Sequence, residues 1–477
     1  MRKLVLDFET FYSKDFSLTK LTTFQYVMDE RFHVWGAGAV FLDEDGDVEW
    51  YGATEVEDFI LSVDWENVEV ICHNVAFDAF ILTQHYGVTP ARFVCTASMA
   101  RALGPNYPAS LAKVSERYLS KIIGDYKKGD ALPKAKGIYD LPEDLEQEIA
   151  EYCIQDVRLT KLIYNLMIKV MPAEEMEMID LTARMTVMPR LVADKERLIA
   201  FKESEVENSE RLIAASGYER SQLASNDQFV GILAELGINV PLKVSPSVKG
   251  KLIPAFGKSD QGFLDLQKEH PEHKALWEAR LASKSRINET RAQRFIDATL
   301  PDGTIPMPLK FYGAHTGRFS GGEKMNVQNM PRGGELRLSL CSPEDELVYV
   351  IDLSQIEARL LAWLANERKI SSIFEAKGDV YADFASRFYK EPINKDDHPI
   401  KRFVGKTSVL GLGYGVGHLK FHTILTTGAM GPPVDITLGE ARSLVDFYRR
   451  EYSMVPKLWR RAKDLIYKMC DPRQEGY

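Results

Sequence analysis

Apolar residues along this chain recur with two different periods, and the change of period divides it. Over the first ~170 residues, short apolar runs of strand length alternate with stretches of helical spacing, as in an α/β layer. Lys3–Phe8 and His33–Leu42 predict strands, with an acidic turn at 43–47 after the second. Val68–Asn74 predicts a third strand feeding a helix at Phe77–His85. A Gly/Pro/Lys-rich stretch, Lys127–Pro133, interrupts the pattern before a long helix over Asp144–Val170. From Pro172 the spacing is helical and the surface charged, with Met188-Pro189 as a breaker. Asn226–Ile238 predicts an amphipathic helix stopped by Gly237. Pro241–Phe263 predicts a long loop and His273–Thr299 one basic helix. Near Ile305 alternation returns, with a Gly-rich segment at 313–334, a strand Tyr349–Asp352, and helices to Tyr477. The fold class predicted is α/β plus α.

Length sharpens this. At 477 residues the chain exceeds a single core and predicts roughly two to four domains. Met1-Arg2-Lys3 leads into only a short apolar run, unlike a signal peptide, and no stretch approaches the ~20 apolar residues of a membrane span. Five scattered cysteines without a CxxC spacing read as reduced thiols rather than a zinc site, so the expected location is cytoplasmic. The net charge of −9 argues against nucleic acid until its distribution is read. Residues 1–170 hold 17 basic and 27 acidic side chains, whereas residues 241–332 hold 15 basic and 9 acidic. Lys284, Arg286, Arg291 and Arg294 fall in the predicted basic helix. A solvated face would account for them equally well, so a phosphate-tracking role depends on the motifs below.

Two carboxylate sets carry the chemistry. Asp7 and Glu9 lie two apart on a strand and so share a face. Alone, such a pair also suits a solvated strand end. In His73-Asn74-x-x-Phe77-Asp78, however, an acid stands where a buried strand meets a helix, the edge at which α/β sheets bind ligands. Tyr152 and Asp156 stand at i and i+4, one above the other on a helix. Phosphodiester hydrolysis requires oxyanions holding two Mg²⁺-type ions ~4 Å apart, and carboxylates suit such hard cations. Asp7, Glu9, Asp78 and Asp156 are therefore candidate metal ligands, with Tyr152 placed to orient water. The plainer alternatives are a half-buried helix tyrosine and a surface acid near Arg158.

The second set begins at Asp352, which ends the predicted strand and could hold metal together with the Leu353 carbonyl. Ser354 is the predicted cap of a helix carrying Gln355 and Glu357. Arg402, Lys406, Leu410 and Tyr414 recur every four residues, each step turning ~40° around a helix. Two cations followed by an apolar group and a ring suit a nucleotide lying along that face. Four nearby glycines (405, 411, 413 and 415) predict close packing or movement of this helix. In His315-Thr316-Gly317-Arg318-Phe319-Ser320 and Asn326-Val-Gln328-Asn329-Met-Pro331, Arg318 and the amides offer donors to minor-groove acceptors or phosphates. A Gly-rich surface loop is the alternative.

The first set, in its order, resembles the DEDDy 3′→5′ exonucleases. Asp7 and Glu9 match the first motif, Asp78 the second, Tyr152 and Asp156 the third, and residues 110–119 the segment between the last two. The second set resembles family A DNA polymerases of the bacterial polymerase I and phage replicase group. TGRFS and NVQNMPR look like its T-G-R and N-x-Q-N-x-P segments, VIDLSQIEAR like motif A, and KRFVGKTSVLGLGYG like motif B. The resemblance implies a ribonuclease-H-like 3′→5′ exonuclease domain followed by a right-hand polymerase domain. The implied division is exonuclease 1–170, thumb and connecting helices 171–304, N-terminal palm 305–370, and fingers 371–477. It implies Asp7, Glu9, Asp78, Tyr152, Asp156 and Asp352 as catalytic residues. Nucleotide-binding residues would be Gln355, Glu357 (excluding a ribose 2′-hydroxyl), Tyr381, Arg402, Lys406, Leu410 and Tyr414. DNA-binding residues would be Thr316, Arg318, Gln328, Asn329, Lys284 and Arg286. The implied cofactors are Mg²⁺ or Mn²⁺, two ions per site. The implied ligands are primer–template DNA, a single-stranded 3′ end and dNTPs; no membrane is involved, and the setting is a bacterial host cytoplasm if the gene is phage-borne.

Two departures bear on activity. Val409 and Leu410 stand where family members commonly carry Asn and Phe. A His-Asp-Glu turn, the family's motif C and source of its second metal-binding Asp, does not occur; Asp435, Asp446, Asp464 and Asp471 are the only aspartates after Tyr414. The expectation is a chain that excises from a 3′ end and extends primers poorly unless a partner polypeptide supplies motif C. An exonuclease with a residual DNA-binding body is the remaining reading.

Overall fold

In the computed structural model, which describes residues 1–44, 46–123, 131–258, 260–331 and 333–470, the chain forms two compact units. One comprises Met1–Phe229 with Ala275–Val348, the other Val230–Lys274 with Tyr349–Tyr477.

The first unit is built on a five-stranded sheet. β1 (Arg2–Thr10) pairs antiparallel with β2 (Val34–Phe41), which pairs antiparallel with β3 (Glu49–Gly52). On the other side of β1, β4 (Val68–Cys72) and β5 (Arg92–Cys95) run parallel, giving the order β3-β2-β1-β4-β5. That is the ribonuclease-H-like arrangement expected. β1 is central, and its Leu4-Val5-Leu6 run is buried on both faces. The long predicted helix is Glu143–Met167, and it packs on β1 and β2. It can come close because β2 carries glycine there: a Cβ on Gly38 would stand 3.0 Å from Cys153 Sγ and 3.1 Å from Val157 Cγ2.

Several predicted elements differ in detail. The helix expected at Phe77–His85 is α-helical over Ala76–Phe80 and then widens, with the Tyr86 N–H reaching the Ile81 carbonyl at 3.1 Å. The Thr83 hydroxyl donates back to the Ala79 carbonyl at 2.9 Å, competing for the ladder at this point. The single basic helix is two, Lys274–Lys284 and Ile287–Ala298. Ser283 donates to the Arg280 carbonyl at 2.8 Å just before the break, and Arg286 instead turns onto Glu289, with Nε 2.9 Å from Oε2. In the second unit, the expected loop Pro241–Phe263 contains an antiparallel pair, Leu242–Val244 with Leu252–Pro254, and a helix begins at Gln261. Of the Lys127–Pro133 stretch, residues 127–130 lie outside the described residues, and Ala131–Ala135 forms a short helix.

The larger part of the second unit is helical. Helices Ile356–Ala365, Val380–Tyr389, Pro399–Gly413, Leu438–Glu451 and Met454–Met469 share a core that includes Phe384, Val404, Leu412, Tyr448 and Tyr452. The strand predicted at Tyr349–Asp352 is absent. The segment is instead without regular structure, with Val350 89% and Ile351 90% exposed. Strand propensity alone does not hold a strand, and among the described residues no neighbour pairs with this one. Ser354 is not the helix cap either. Gln355 takes that position in the left-handed region, at φ 56°, with no side-chain cap bond.

Candidate active sites

In the first unit Asp7 and Glu9 share the face of β1 covered by the Tyr152 helix, and their cross-strand partners are Gly38 and Gly36. Through the space left by Gly38, Cys153 Sγ comes within 3.4 Å of the Asp7 carbonyl and 3.7 Å of Asp7 Oδ2. Donor atoms of Asp7, Glu9 and Cys153 lie within 4.8 Å of one another. Cys153 was not anticipated from sequence. Its position between Tyr152 and Asp156 placed it near the site, but the helix–sheet spacing that aims it depends on Gly38.

Asp78 enters from the other edge of β1. The β1–β4 register ends at Val5↔Ile71, so further along β1 the Phe8 N–H has no strand partner on that side. The Asp78 carboxylate accepts that N–H at 3.2 Å and is itself only 2% exposed. One buried side chain thus fills the gap left by the end of β4.

Tyr152 and Asp156, both buried, stand one turn apart as predicted, and the phenol hydrogen-bonds the carboxylate. Burial raises the Asp7 carboxyl well above the ordinary range, and the charges of Asp78, Glu9 and Asp156 raise it further. Burial also pushes Asp78 up to about 7, against the opposing Phe8 hydrogen bond. The Tyr152 phenol is raised by burial first and then by Asp156 and Glu9. Burial and the charges of three neighbouring acids thus make an ionised Asp7 costly, a cost that a bound cation would offset.

In the second unit, Asp352 and Leu353 are exposed on the open segment, and among the described residues Asp352 joins no group of close metal-binding side chains. The residues expected to face a nucleotide are better gathered. Arg402, Lys406 and Leu410 line one side of helix Pro399–Gly413, while Val409 turns into the core at 2% exposure. Tyr414 caps that helix rather than extending it, and is 70% exposed. Arg402 Nε pairs with Asp379 Oδ2 at 2.6 Å. Asp379 also caps the neighbouring helix, accepting from the Tyr381 and Ala382 N–H groups at 3.0 and 3.3 Å. The Arg402 guanidinium lies 5.6 Å from the centre of the buried Tyr381 ring. The Tyr381 phenol is raised by burial first and by the Asp379 charge, with Arg402 opposing and Glu357 adding. Gly405 is required here, since a Cβ would stand 2.2 Å from the Tyr381 carbonyl. Asp379 was missed, although an Asp directly ahead of a helical run is a legible cap signal.

Of the candidate DNA contacts, Thr316 and Arg318 are exposed on the turn between Leu309–Lys310 and Ser320–Gly321. Gln328 and Asn329 are exposed on the following 3₁₀ turn. Lys284 is exposed, and Arg286 is paired with Glu289. Arg294 is half-buried and donates to the Lys324 carbonyl at 2.7 Å.

The sheet order and the acids gathered on its central strand define the class: a 3′–5′ exonuclease fold carried on a larger, mostly helical chain. Comparison with known proteins makes the family explicit. The profile of a 3′–5′ exonuclease matches residues 57–172, and that of DNA polymerase family A matches residues 195–469. The chain belongs to DNA polymerase family A. Its exonuclease match begins beyond Asp7 and Glu9, so those two join the site by geometry. The DNA polymerase of Bacillus phage SP02 is 25% identical over 96% of this chain and 76% of its own length. That of Escherichia phage T5 is 23% identical over 90% of this chain and 55% of its own, and DNA polymerase I of Synechocystis is 26% identical over 81% and 38%. Against these last two, the chain spans little more than half or less of the relative. The polymerase domain of Mycobacterium smegmatis Pol1, solved with DNA primer–template and dNTP, superposes with a TM-score of 0.62 at 19% identity, over 92% of this chain and 73% of that one. Proteins of this family and its exonuclease domains use divalent metal ions, and no helix among the described residues is long and apolar enough to cross a membrane.

Proposed function

We propose that this chain is a replicative DNA polymerase with 3′→5′ proofreading, and that excision is the activity its own residues complete. The observation carrying this reading is the buried convergence of Asp7, Glu9, Asp78 and Asp156 beside Tyr152. The donors are hard oxygens, and burial with neighbouring charge holds the Asp7 carboxyl, and burial the Asp78 carboxyl, above the ordinary range, which fits divalent cations. Asp7, Glu9, Asp78 and Asp156 would hold Mg²⁺ or Mn²⁺, two ions per site, supplying an activated water and charge relief at the leaving oxygen. The chain's own work is positional. Phe8 fixes Asp78, Cys153 backs Asp7, and Asp156 orients the Tyr152 hydroxyl toward the attacking water. The substrate is the single-stranded 3′ end of DNA.

For synthesis, Arg402 and Lys406 would meet the triphosphate of a dNTP, with Leu410 and Tyr414 near sugar and base. Glu357 above Tyr381 would bar a 2′-hydroxyl, with Gln355 beside them, and Asp352 with the Leu353 carbonyl would hold metal. Thr316, Arg318, Gln328, Asn329, Lys284 and Arg286 would contact primer–template DNA, the kind of ligand present in the M. smegmatis structure. The thumb would lie in 171–304, the palm in 305–370 and the fingers in 371–477. The exposed, unpaired segment through Ile351 favours a second reading of this centre. There, a strand from another polypeptide pairs with it and brings the second acid, as in a split polymerase. The expected setting is the cytoplasm of a bacterial host.

The deciding experiment is primer extension and excision by the purified chain with Mg²⁺, with and without host extract. Excision of a single-stranded 3′ end by the chain alone is expected, with extension weak or dependent on extract. Absence of excision under Mg²⁺ and Mn²⁺ would defeat the reading, and vigorous extension by the chain alone would defeat the incomplete second centre.

A further inference from the structure

The turn that follows the Thr316–Arg318 hairpin is fastened to the exonuclease fold by a set of contacts that excision does not require. Glu323 and Lys324 are consecutive non-glycine residues in the left-handed region, at φ 48° and 56°. L-residues adopt that conformation unaided only at a cost, so surrounding contacts must hold it. Those contacts are specific. Glu323 Oε2 accepts the Thr23 N–H at 2.7 Å, and Oε1 accepts the Thr23 hydroxyl at 3.1 Å. Lys324 Nζ donates to the Thr19 and Lys20 carbonyls, each at 3.2 Å. Arg294 takes the Lys324 carbonyl from the other side at 2.7 Å. The turn is also tight: a Cβ on Gly321 would stand 2.5 Å from the Met325 carbonyl, and Met325 is buried. Lower down the hairpin, Arg101 Nε donates to the Phe311 carbonyl at 2.8 Å, and Tyr312, also at positive φ, reaches Glu175 at 3.1 Å.

The anchored turn lies between the two halves of the exposed loop, Thr316 and Arg318 before it, Gln328 and Asn329 after it. We infer that Glu323 and Lys324 are positioning residues for duplex binding: they use the exonuclease fold as the footing that holds Thr316, Arg318, Gln328 and Asn329 in register for DNA. This rests on the reading of that loop as a DNA contact. None of the acids of the excision site takes part, so the footing serves the duplex while leaving excision of a single strand to the β1 cluster. An exonuclease fold so used has two tasks, one catalytic and one as scaffold for its neighbour.

The test uses the full chain and its E323A, K324A and R318A variants. Three quantities are measured: affinity for a primer–template duplex by fluorescence anisotropy without Mg²⁺, excision of a single-stranded oligonucleotide with Mg²⁺, and amide exchange over residues 309–329. E323A is expected to weaken duplex binding about tenfold, comparable to R318A, and K324A about threefold, since each removes buried or charge-assisted hydrogen bonds. Both should speed exchange over 309–329 and leave single-strand excision within about twofold of the parent. Unchanged duplex affinity in E323A while R318A weakens binding would overturn the inference. Loss of single-strand excision in step with duplex binding would also overturn it, by showing general damage to the fold. If R318A binds duplex normally, the DNA reading of the loop fails and the positioning role falls with it, while the exchange data report separately whether the turn is an anchor.

Discussion

Two apolar runs in this chain end in aspartate, Leu4–Asp7 and Tyr349–Asp352, and only one becomes a strand. The first lies between β2 and β4, with pairing on both sides, and the Tyr152 helix lies over its acids. The second has comparable β-propensity and, among the described residues, no strand paired with it. A carboxylate on a paired, covered strand has its position fixed and its charge made costly, and both are conditions for gripping a metal. The same carboxylate on an open segment is solvated and geometrically free. The difference is made by non-local pairing, not by the residues of the motif.

The comparison can be broken most directly at the acids. D7N should lower single-strand excision by at least about a thousandfold, the scale expected when a metal ligand and its preorganised charge are lost. D352N should leave excision unchanged in the same gel assay. A D352N effect on excision near that of D7N would erase the distinction drawn here. Next in size, Y152F should reduce excision by about ten- to a hundredfold with little change in substrate KM, since on the proposed reading the phenol orients water rather than binding the strand.

The third test reads the electrostatics. Asp78 holds its proton up to about pH 7 in the folded, metal-free protein, against the ordinary carboxyl value of 3.8. The native state then binds more protons than the unfolded state between those values, so stability must fall as pH rises through the window. D78N should flatten that slope, leaving the part contributed by the likewise raised Asp7, and raise metal-free stability near pH 8 by on the order of 2–4 kcal/mol. Saturating Mg²⁺ should narrow the gap between the parent protein and D78N. Thermal denaturation at several pH values with EDTA or Mg²⁺ reads both effects, and a parent protein that gains stability with rising pH through this window would refute the electrostatic account.

Much of the first site was legible because its spacings are local. Two residues apart on a strand and four apart on a helix are rules of backbone geometry, and Asp7/Glu9 and Tyr152/Asp156 obey them. The Arg402–Lys406–Leu410 face was readable for the same reason. What sequence did not convey was distance between elements. Cys153 reaches Asp7 only because Gly38 lets a helix settle close to the sheet. Arg402 is engaged by Asp379 from a different helix, so its charge is partly satisfied before any phosphate arrives. The basic helix failed as one element because Ser283 and Arg286 take local partners that periodicity does not register. The strand at Tyr349–Asp352 failed because pairing is supplied by other parts of a chain or by another chain.

That open segment has one more consequence. Leu347-Val348-Tyr349-Val350-Ile351 is a bare β-prone stretch without proline or charge, the composition that templates sheet growth between molecules. Glu344, Asp345 and Glu346 precede it and Asp352 closes it, so stacking copies in register would pile like charges together. These acids act as gatekeepers against aggregation. Asp352, apart from any part in metal binding, is thereby placed to keep this molecule from solidifying with its own kind.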